Sequence, residues 1–275
     1  MSRTFTGDTS SHAITHQSRR LIRPLFAVLL LALSVNLVAC GGSVATGSSP
    51  SGTQPPAASP TARPAVVYVA MGASDAVGVG ASDANTTAYV PILISRLPKG
   101  SAALNLGVSG YTAHQALTGE LPQAISAQPT LVTVWLVGND FKDCTPLTRY
   151  GADLNTLLGQ LETKTHAKVF VANAPDMSLL PAIQQLAAQQ GNFCGGSSSQ
   201  AAIRAQVVAW NNVIASAVSA HHDYLVDLYN SDLVAHPDYI YSDGFHPSDK
   251  GYLALANLFW GQITATGGIP ASSGA

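Results

Sequence analysis

The sequence predicts an α/β fold in which a parallel β-sheet is covered by helices on both faces. Short apolar runs alternate with longer stretches of helical spacing, a pattern typical of βαβ units. The clearest run, LVTVWLV at residues 131–137, is apolar apart from one threonine, as strands buried on both faces usually are. Right-handed crossovers between such units would give one doubly wound domain of about 210 residues.

The first half of this domain begins with a short valine-rich strand at residues 65–71. Apolar residues at helical spacing then predict a helix at 86–97. A second short apolar run predicts a strand at 102–106, and a helix-like stretch follows at 112–125. The strand at 131–137 closes this half.

The second half repeats the alternation. Its predicted elements are helix 147–163, strand 167–172, helix 179–190, helix 197–220, strand 223–228 and helix 248–264. Helix 147–163 is amphipathic, and Ser248 is a suitable N-cap for the last helix. Ligands of open α/β sheets bind beyond the carboxyl ends of the strands, so the residues after each strand are the first candidates for a site.

The N-terminus predicts export from the cell. Basic residues up to Arg23 precede an apolar run at 25–38, which is shorter than the ~20 residues of a membrane-spanning helix. This pattern indicates a signal peptide at residues 1–39, and its arginine pair leaves open whether export is by the twin-arginine route. The run ends in Leu-Val-Ala-Cys, which resembles a bacterial lipobox and implies that Cys40 is lipidated. An ordinary secretory signal or an uncleaved anchor is the alternative.

Residues 40–64 consist mainly of Gly, Ser, Ala, Thr and Pro, with Arg63 as the one charged residue. Such a composition cannot bury enough apolar surface to offset its ordering entropy, so it predicts a disordered tether, with a disordered stub that has no role as the alternative. The predicted protein is therefore lipid-anchored on the extracytoplasmic side of a bacterial membrane, with its folded domain at 65–275. We also expect it to be a monomer.

The charge and cysteine content of the exported part exclude some classes of partner. Without residues 1–39 the chain has nine basic and 14 acidic residues, a net charge of −5, and no basic stripe that would favour nucleic acid. Cys144 and Cys194 predict a disulfide in an exported domain, with two free thiols as the alternative. The exported part has no C-x-x-C or H-x-x-x-H spacing, so we expect no metal site.

Four segments at strand ends and in a late loop carry polar residues. They are Gly-Ala-Ser-Asp at 72–75, the segment 105–110 ending in glycine, Gly-Asn-Asp at 138–140, and Asp-Gly-Phe-His-Pro at 243–247. Together they supply a hydroxyl, an imidazole with a carboxylate three residues before it, and several amide donors. These are the groups that acyl transfer requires.

The chemistry assigns a role to each group. The hydroxyl of Ser74 needs His246 as a base, and His246 needs Asp243 as an acceptor on its other nitrogen. The negatively charged oxygen of a tetrahedral intermediate needs fixed donors. The backbone N–H groups of Ser74 and Gly110 and the side-chain amide of Asn139 could supply them.

The chain resembles the SGNH hydrolases, also called the GDSL-type esterase/lipase superfamily. The resemblance rests on the order and sequence context of Ser74, Gly110, Asn139 and His246. The resemblance spans about residues 66–259. It implies a flavodoxin-like three-layer α/β/α sandwich, hydrolysis of ester or thioester bonds, and no metal or organic cofactor. It also implies the roles given above for the triad and the oxyanion hole.

One position departs from the family pattern. Ala73 stands where the G-D-S-L block has an aspartate, and Asp75 follows the serine instead. We expect Asp75 to cap the following turn rather than to take part in catalysis. His114 follows Gly110 closely, but a solvated helix position is a simpler interpretation than a place in the pocket.

Three functions are compatible with these motifs. The first is an extracytoplasmic serine esterase that acts on small or lipid-like esters. The second is a carbohydrate O-deacetylase or acyltransferase that acts on envelope glycans. The third is a catalytically silent surface-binding module, which would predict damage at one of the catalytic positions, and all of them are intact.

Overall fold

A computed structural model of the chain describes residues 64–269. The predicted signal peptide, Cys40 and all of the predicted tether except Pro64 lie outside the described residues. Within residues 64–269, no helix is long and apolar enough to cross a membrane.

Five parallel strands form the sheet, in the spatial order β2-β1-β3-β4-β5. They are β1 (Val67–Gly72), β2 (Ala102–Asn105), β3 (Leu131–Trp135), β4 (Lys168–Ala172) and β5 (Tyr224–Val226). This order is the flavodoxin-like one, so the predicted fold is confirmed. The chain crosses from β1 to β2 on one side and then returns to the other side of β1 as β3. The connections therefore run in opposite directions from β1, and this topological switch point leaves a crevice at the carboxyl ends of β1 and β3.

Helices cover both faces of the sheet. In chain order they are α1 (Ser74–Val77), α2 (Tyr89–Arg96), α3 (Ala113–Gly119), α4 (Leu121–Ser126), α5 (Val137–Lys142), α6 (Leu147–Lys164), α7 (Pro181–Gln190), α8 (Gln200–Ala220) and α9 (Asp249–Ala265). Helices α2 and α9 pack together in one layer, and α3, α6 and α8 pack together in the other. Short 3-10 helices occupy Met177–Leu179 and Pro237–Tyr239.

Each layer is anchored by apolar and aromatic side chains. In α6 the predicted apolar face is buried, with Leu157, Leu158 and Leu161 fully inaccessible to solvent. Burial of a leucine of this kind contributes roughly 1.5–3 kcal/mol. In the opposite layer the rings of Tyr89 and Phe259 stack with their centroids 5.5 Å apart.

The predicted single helix at 112–125 is wrong, because the chain bends at Glu120 and forms α3 and α4 instead. Pro122 explains the break, since proline lacks the N–H that a continuous helix needs and its ring clashes with the preceding turn. Helix α3 begins with a capping box between Thr112 and Gln115. The break turns Glu120 toward the sheet.

The third strand also ends earlier than predicted. It stops at Trp135, and the following residues form the short helix α5. Asn139 and Asp140 therefore lie on a helix rather than in a loop. Helix α1 was likewise not predicted, because four residues are too few to show a helical period.

Cys144 and Cys194 are joined by a disulfide in the structure. Cys144 follows α5, and Cys194 lies in the segment between α7 and α8, 50 residues later in the chain. The bond therefore ties the segment after α5 to the segment after α7. Both helices contribute residues to the cleft described below.

Candidate active site

Ser74 lies at a sharp turn between β1 and α1. Its carbonyl oxygen accepts hydrogen bonds from Gly78 N at 2.9 Å and from Val79 N at 3.0 Å. Helix α1 ends at Val77 and is followed by the C-cap residue Gly78, whose φ of 94° is readily adopted only by glycine. The serine is 7% exposed, so its hydroxyl is held at the end of the sheet with limited access to solvent.

The hydroxyl of Ser74 is the first member of a chain of three hydrogen-bonded side chains. Ser74 Oγ lies 2.8 Å from His246 Nε2, although the two residues are 172 positions apart in sequence. His246 Nδ1 lies 2.6 Å from Asp243 Oδ2. An imidazole in this position can accept the hydroxyl proton on one nitrogen while a carboxylate fixes its other nitrogen.

The loop before α9 holds Asp243 in place. Its Oδ1 accepts hydrogen bonds from Phe245 N at 2.9 Å and from His246 N at 3.0 Å. Burial alone would raise the pKa of this carboxyl, but the hydrogen bonds from the imidazole and from these two N–H groups lower it below its ordinary value. Gly244 has a φ of 74°, and a side chain there would crowd Pro181. The loop geometry thus keeps the carboxylate ionised and aimed at the imidazole.

Gly110 and Asn139 lie beside Ser74. Gly110 has a φ of 86° in a turn in which Tyr111 N donates to Val108 O, and a Cβ built on it would meet no atom within 4 Å. Asn139 Nδ2 donates to Tyr111 O at 2.9 Å, which leaves the second amide hydrogen for another acceptor. Within the described part of the chain, the backbone N–H groups of Ser74 and Gly110 have no hydrogen-bond acceptor.

A single cleft of about 580 Å³ contains all of the predicted site residues of the folded domain apart from the two cysteines. Its polar lining is Ser74, Ser109, Gly110, Asn139, Asp243 and His246. Its apolar lining is Val79, Ala182, Ile183, Leu186 and Phe245, and Lys142, Gln185 and Gln189 complete it. The structure therefore brings the four predicted segments together at the carboxyl ends of β1 and β3.

Asp75 differs from its prediction. Its side chain caps no helix, since the N-cap position of α1 is Ala73 and no side-chain cap bond is present. It is 8% exposed and lines a small cavity of about 20 Å³ beside Trp135. Burial raises the pKa of its carboxyl to about 6, although the nearby His246 lowers it.

Glu120 is a buried acid of the site that the sequence motifs do not indicate. It is completely buried, and its Oε2 accepts a hydrogen bond from Gly72 N at 2.9 Å, two residues before Ser74. The signal that could have indicated it was an acidic residue directly before Leu-Pro, in a stretch that otherwise has helical spacing.

His114 lies away from the cleft, as the simpler interpretation predicted. Its side chain is 57% exposed, and its Nδ1 is 3.2 Å from Asp153 Oδ1. Among residues 64–269, no group of three or more His, Cys, Asp or Glu side chains is arranged to hold a metal ion.

Similarity to solved structures extends over most of the folded domain. The psychrotrophic esterase EstA from Pseudoalteromonas sp. is 15% identical, with a TM-score of 0.56, covering 73% of this chain and 97% of that chain. TesA is 18% identical, with a TM-score of 0.56, covering 72% and 98%. A catalytic mutant of Axe2, an acetylxylan esterase from Geobacillus stearothermophilus, is 16% identical, with a TM-score of 0.55, covering 73% and 94%. At these identities the likeness shows the fold alone.

No curated protein sequence matches the chain. The sequence model of the GDSL-like Lipase/Acylhydrolase family does match it, over residues 70–254. The match covers more than half of the chain and includes all four segments that meet in the cleft. This chain therefore belongs to the GDSL-like lipase/acylhydrolase family, the family of SGNH hydrolases that its motifs resemble.

Proposed function

We propose that this protein is an extracytoplasmic serine esterase that cleaves acyl ester or thioester bonds with Ser74 as nucleophile. The observation that carries the proposal is the chain of hydrogen bonds from Asp243 through His246 to Ser74, with distances of 2.6 and 2.8 Å. A serine hydroxyl attacks a carbonyl only when a base removes its proton, and His246 Nε2 is at the right distance to do so.

The reaction would proceed in two halves. In the first, Ser74 Oγ attacks the acyl carbon while its proton passes to His246 Nε2, and the ionised Asp243 stabilises the resulting imidazolium. His246 then gives that proton to the leaving alkoxide or thiolate, and an acyl-serine remains. In the second, His246 takes a proton from water, the hydroxide attacks the acyl carbon, and the proton returns to Ser74 Oγ as the carboxylic acid leaves.

The oxyanion formed in each half needs donors that are already in place. The N–H groups of Ser74 and Gly110, which have no acceptor among the described residues, and the second hydrogen of the Asn139 amide are suited to this role. Loss of one such donor typically lowers kcat about 10²- to 10³-fold, and we expect a decrease of this size for Asn139→Ala.

The cleft lining bears on the substrate class. Val79, Ile183, Leu186 and Phe245 present a mainly apolar wall next to the reacting groups. This wall favours an apolar acyl group over a strongly polar one. The likeness to an acetylxylan esterase supports the alternative, a deacetylase or acyltransferase that acts on envelope glycans. A silent binding module would have no need of the intact hydrogen-bonded chain.

A panel of p-nitrophenyl esters from acetate to octanoate tests the proposal with the purified protein. We expect turnover of at least part of the panel, with a preference for acyl chains longer than acetate because of the apolar wall. A preference for acetate, together with release of acetate from acetylated glycans, would favour the deacetylase. No turnover of any ester or acetylated glycan by the folded protein would contradict the proposed activity.

We also propose that the protein is held at the outer side of the membrane by a lipid on Cys40. The support is the lipobox-like sequence that ends the apolar run before the cysteine. Radiolabelled palmitate supplied to expressing cells should label the full chain and leave the Cys40→Ser variant unlabelled. The labelled protein should sediment with membranes. Equal labelling of both proteins, or of neither, would contradict the anchor.

A further inference from the structure

Glu120 is a buried carboxyl group that the reaction scheme above does not use. It lies at the break between α3 and α4 and is 0% exposed. Its Oε2 accepts a hydrogen bond from Gly72 N at 2.9 Å, whereas its Oε1 has no partner within residues 64–269. A buried carboxyl group with one oxygen that has no hydrogen-bond partner lowers the stability of the fold. Glu120 is therefore a candidate for a role at the turn that carries Ser74.

The Gly72 peptide connects two parts of the proposed oxyanion hole. Gly72 is the last residue of β1 and precedes Ser74 by two positions. Its carbonyl oxygen accepts a hydrogen bond from Val108 N at 3.2 Å, and Val108 precedes Gly110 by two positions. The peptide is also tightly packed, because a Cβ on Gly72 would lie 2.9 Å from the Ala76 side chain. Small shifts of this peptide would therefore move both N–H donors.

We propose that Glu120 is a positioning residue for the proposed hydrolysis, which this inference presupposes. In its neutral form its carboxyl holds the Gly72 peptide and thereby orients the backbone N–H groups of Ser74 and Gly110. Glu120 acts through Gly72 alone, because it does not line the cleft and cannot contact the substrate.

The surroundings of Glu120 favour the neutral form. Burial raises the pKa of its carboxyl to about 8, although the hydrogen bond from Gly72 lowers it. No Lys, Arg or His among the described residues forms an ion pair with it. On α2, the Tyr89 hydroxyl lies 3.5 Å from the position of a Cβ on Gly72 and has no described partner. On β1, the Tyr68 hydroxyl is 2.8 Å from Thr133 Oγ1.

The neighbouring elements carry other titratable groups. Burial raises the pKa of Tyr89 and of Tyr68, so both remain neutral. The carboxyl of Asp75 on α1, with its pKa of about 6, is already ionised at pH 8. On α3 and α6, His114 and Arg149 both pair with Asp153. Glu162 pairs with His221, and Lys164 Nζ donates a hydrogen bond to Gln160 Oε1. Burial also raises the pKa of Asp140 on α5, whose Oδ2 accepts a hydrogen bond from Ala113 N of α3 at 2.7 Å. A change of activity near pH 8 is therefore assigned to Glu120 only if Glu120→Gln removes it.

The charge of Glu120 matters because the reaction develops a negative charge nearby. The oxyanion would be bound by N–H groups of the same short backbone segment that Glu120 holds. A carboxylate at this buried position opposes the formation of that oxyanion, and a neutral carboxyl does not. Ionisation of Glu120 is therefore expected to slow the reaction even if the peptide keeps its position.

Three variants separate positioning from stability alone. Glu120→Gln keeps a carbonyl acceptor for Gly72 N and is neutral at every pH. Glu120→Ala removes the acceptor. Asp223→Asn is the matched control, because Asp223 is a partly buried acid whose pKa burial raises to about 7, but it precedes β5 at the opposite end of the sheet from Ser74.

In the wild-type protein, kcat is expected to fall on the alkaline side with a midpoint near pH 8. Glu120→Gln should keep the kcat of the wild type near pH 7 and lose this alkaline decrease, whereas Asp223→Asn should retain it. Glu120→Ala should lower the kcat of the folded protein about tenfold and change KM less than about threefold, because the ligand-binding walls are untouched. A merely structural role would leave the kcat of the folded fraction unchanged.

Two measurements do not depend on ester turnover. The chain contains only two glutamates, Glu120 and Glu162, so carbon-13 labelling of glutamate gives two side-chain carboxyl signals, and Glu162→Gln assigns them. The signal of Glu120 should titrate near pH 8. The rate at which a fluorophosphonate reacts with Ser74 should show the same pH profile as kcat. It should also rank the variants in the same order as kcat does.

The outcomes distinguish this inference from the proposed function. Ester turnover that depends on Ser74, with equal alkaline profiles in the wild type and in Glu120→Gln, would overturn the positioning role alone. A second outcome is that the fluorophosphonate labelling rate depends on pH and on the Glu120 variants as expected, but no ester is turned over. This outcome would contradict the proposed substrates and support the positioning role. The inference is overturned, whatever the ester turnover, if the rate of Ser74 labelling and its pH profile are the same in the wild type and in both Glu120 variants. It is also overturned if Ser74 is not labelled at all.

Discussion

Replacement of Ser74 by alanine is expected to lower kcat for ester hydrolysis about 10⁴- to 10⁶-fold. Within residues 64–269, the hydroxyl of Ser74 is the cleft group hydrogen-bonded to His246 Nε2, at 2.8 Å, so its proton can pass directly to the imidazole. Without it no acyl-serine can form, and the oxyanion donors and the cleft would support only a slow attack by water. The ratio of kcat values for the two proteins, measured on the best ester of the panel, gives the effect.

The fold should not change in Ser74→Ala. The substitution removes one hydroxyl whose described side-chain hydrogen bond is to His246, and the backbone bonds of the turn remain. Ser109→Ala is the matched control, since Ser109 lines the same cleft but makes no hydrogen bond to His246. We expect this variant to keep most of its activity. Similar losses in both variants, or turnover within tenfold of the wild type in Ser74→Ala, would exclude Ser74 as the nucleophile.

The sequence could predict the general plan of the site because the fold converts order along the chain into proximity. In a parallel sheet the carboxyl ends of all strands lie at one edge, so segments after β1, β2 and β3 must meet there. Ser74, Gly110 and Asn139 follow these three strands. The loop with Asp243 and His246 precedes α9, and its position over the same edge depends on the packing of α9 against the sheet and α2.

The sequence could not predict features that depend on contacts between distant residues. Glu120 reaches Gly72 only because Pro122 breaks the helix and β1 lies beneath the break. Asp75 directly follows the predicted nucleophile, but its burial beside Trp135 follows from the packing of several elements. Periodicity describes which face of one element is apolar, and it carries no information on which side chain of another element will meet it.

The second large effect is expected at Asp243. In Asp243→Asn the amide oxygen should turn toward the N–H groups of Phe245 and His246, which already donate to Oδ1 at 2.9 and 3.0 Å. The amide nitrogen would then face His246 Nδ1 and donate a hydrogen bond to it. This arrangement leaves the proton of the neutral imidazole on Nε2, so His246 cannot accept the proton of Ser74. We expect kcat near neutral pH to fall about 10³- to 10⁴-fold.

Asp243→Ala separates orientation of the loop from selection of the tautomer. Alanine removes the acceptor for both backbone N–H groups, so the loop should loosen and KM should change together with kcat. Asp243→Asn should keep the loop and the KM of the wild type, because its amide oxygen preserves those bonds. Nitrogen-15 NMR of the imidazole should show the proton of neutral His246 on Nδ1 in the wild type and on Nε2 in Asp243→Asn. The same tautomer in both proteins, or a kcat within tenfold of the wild type, would mean that Asp243 does not set the state of His246.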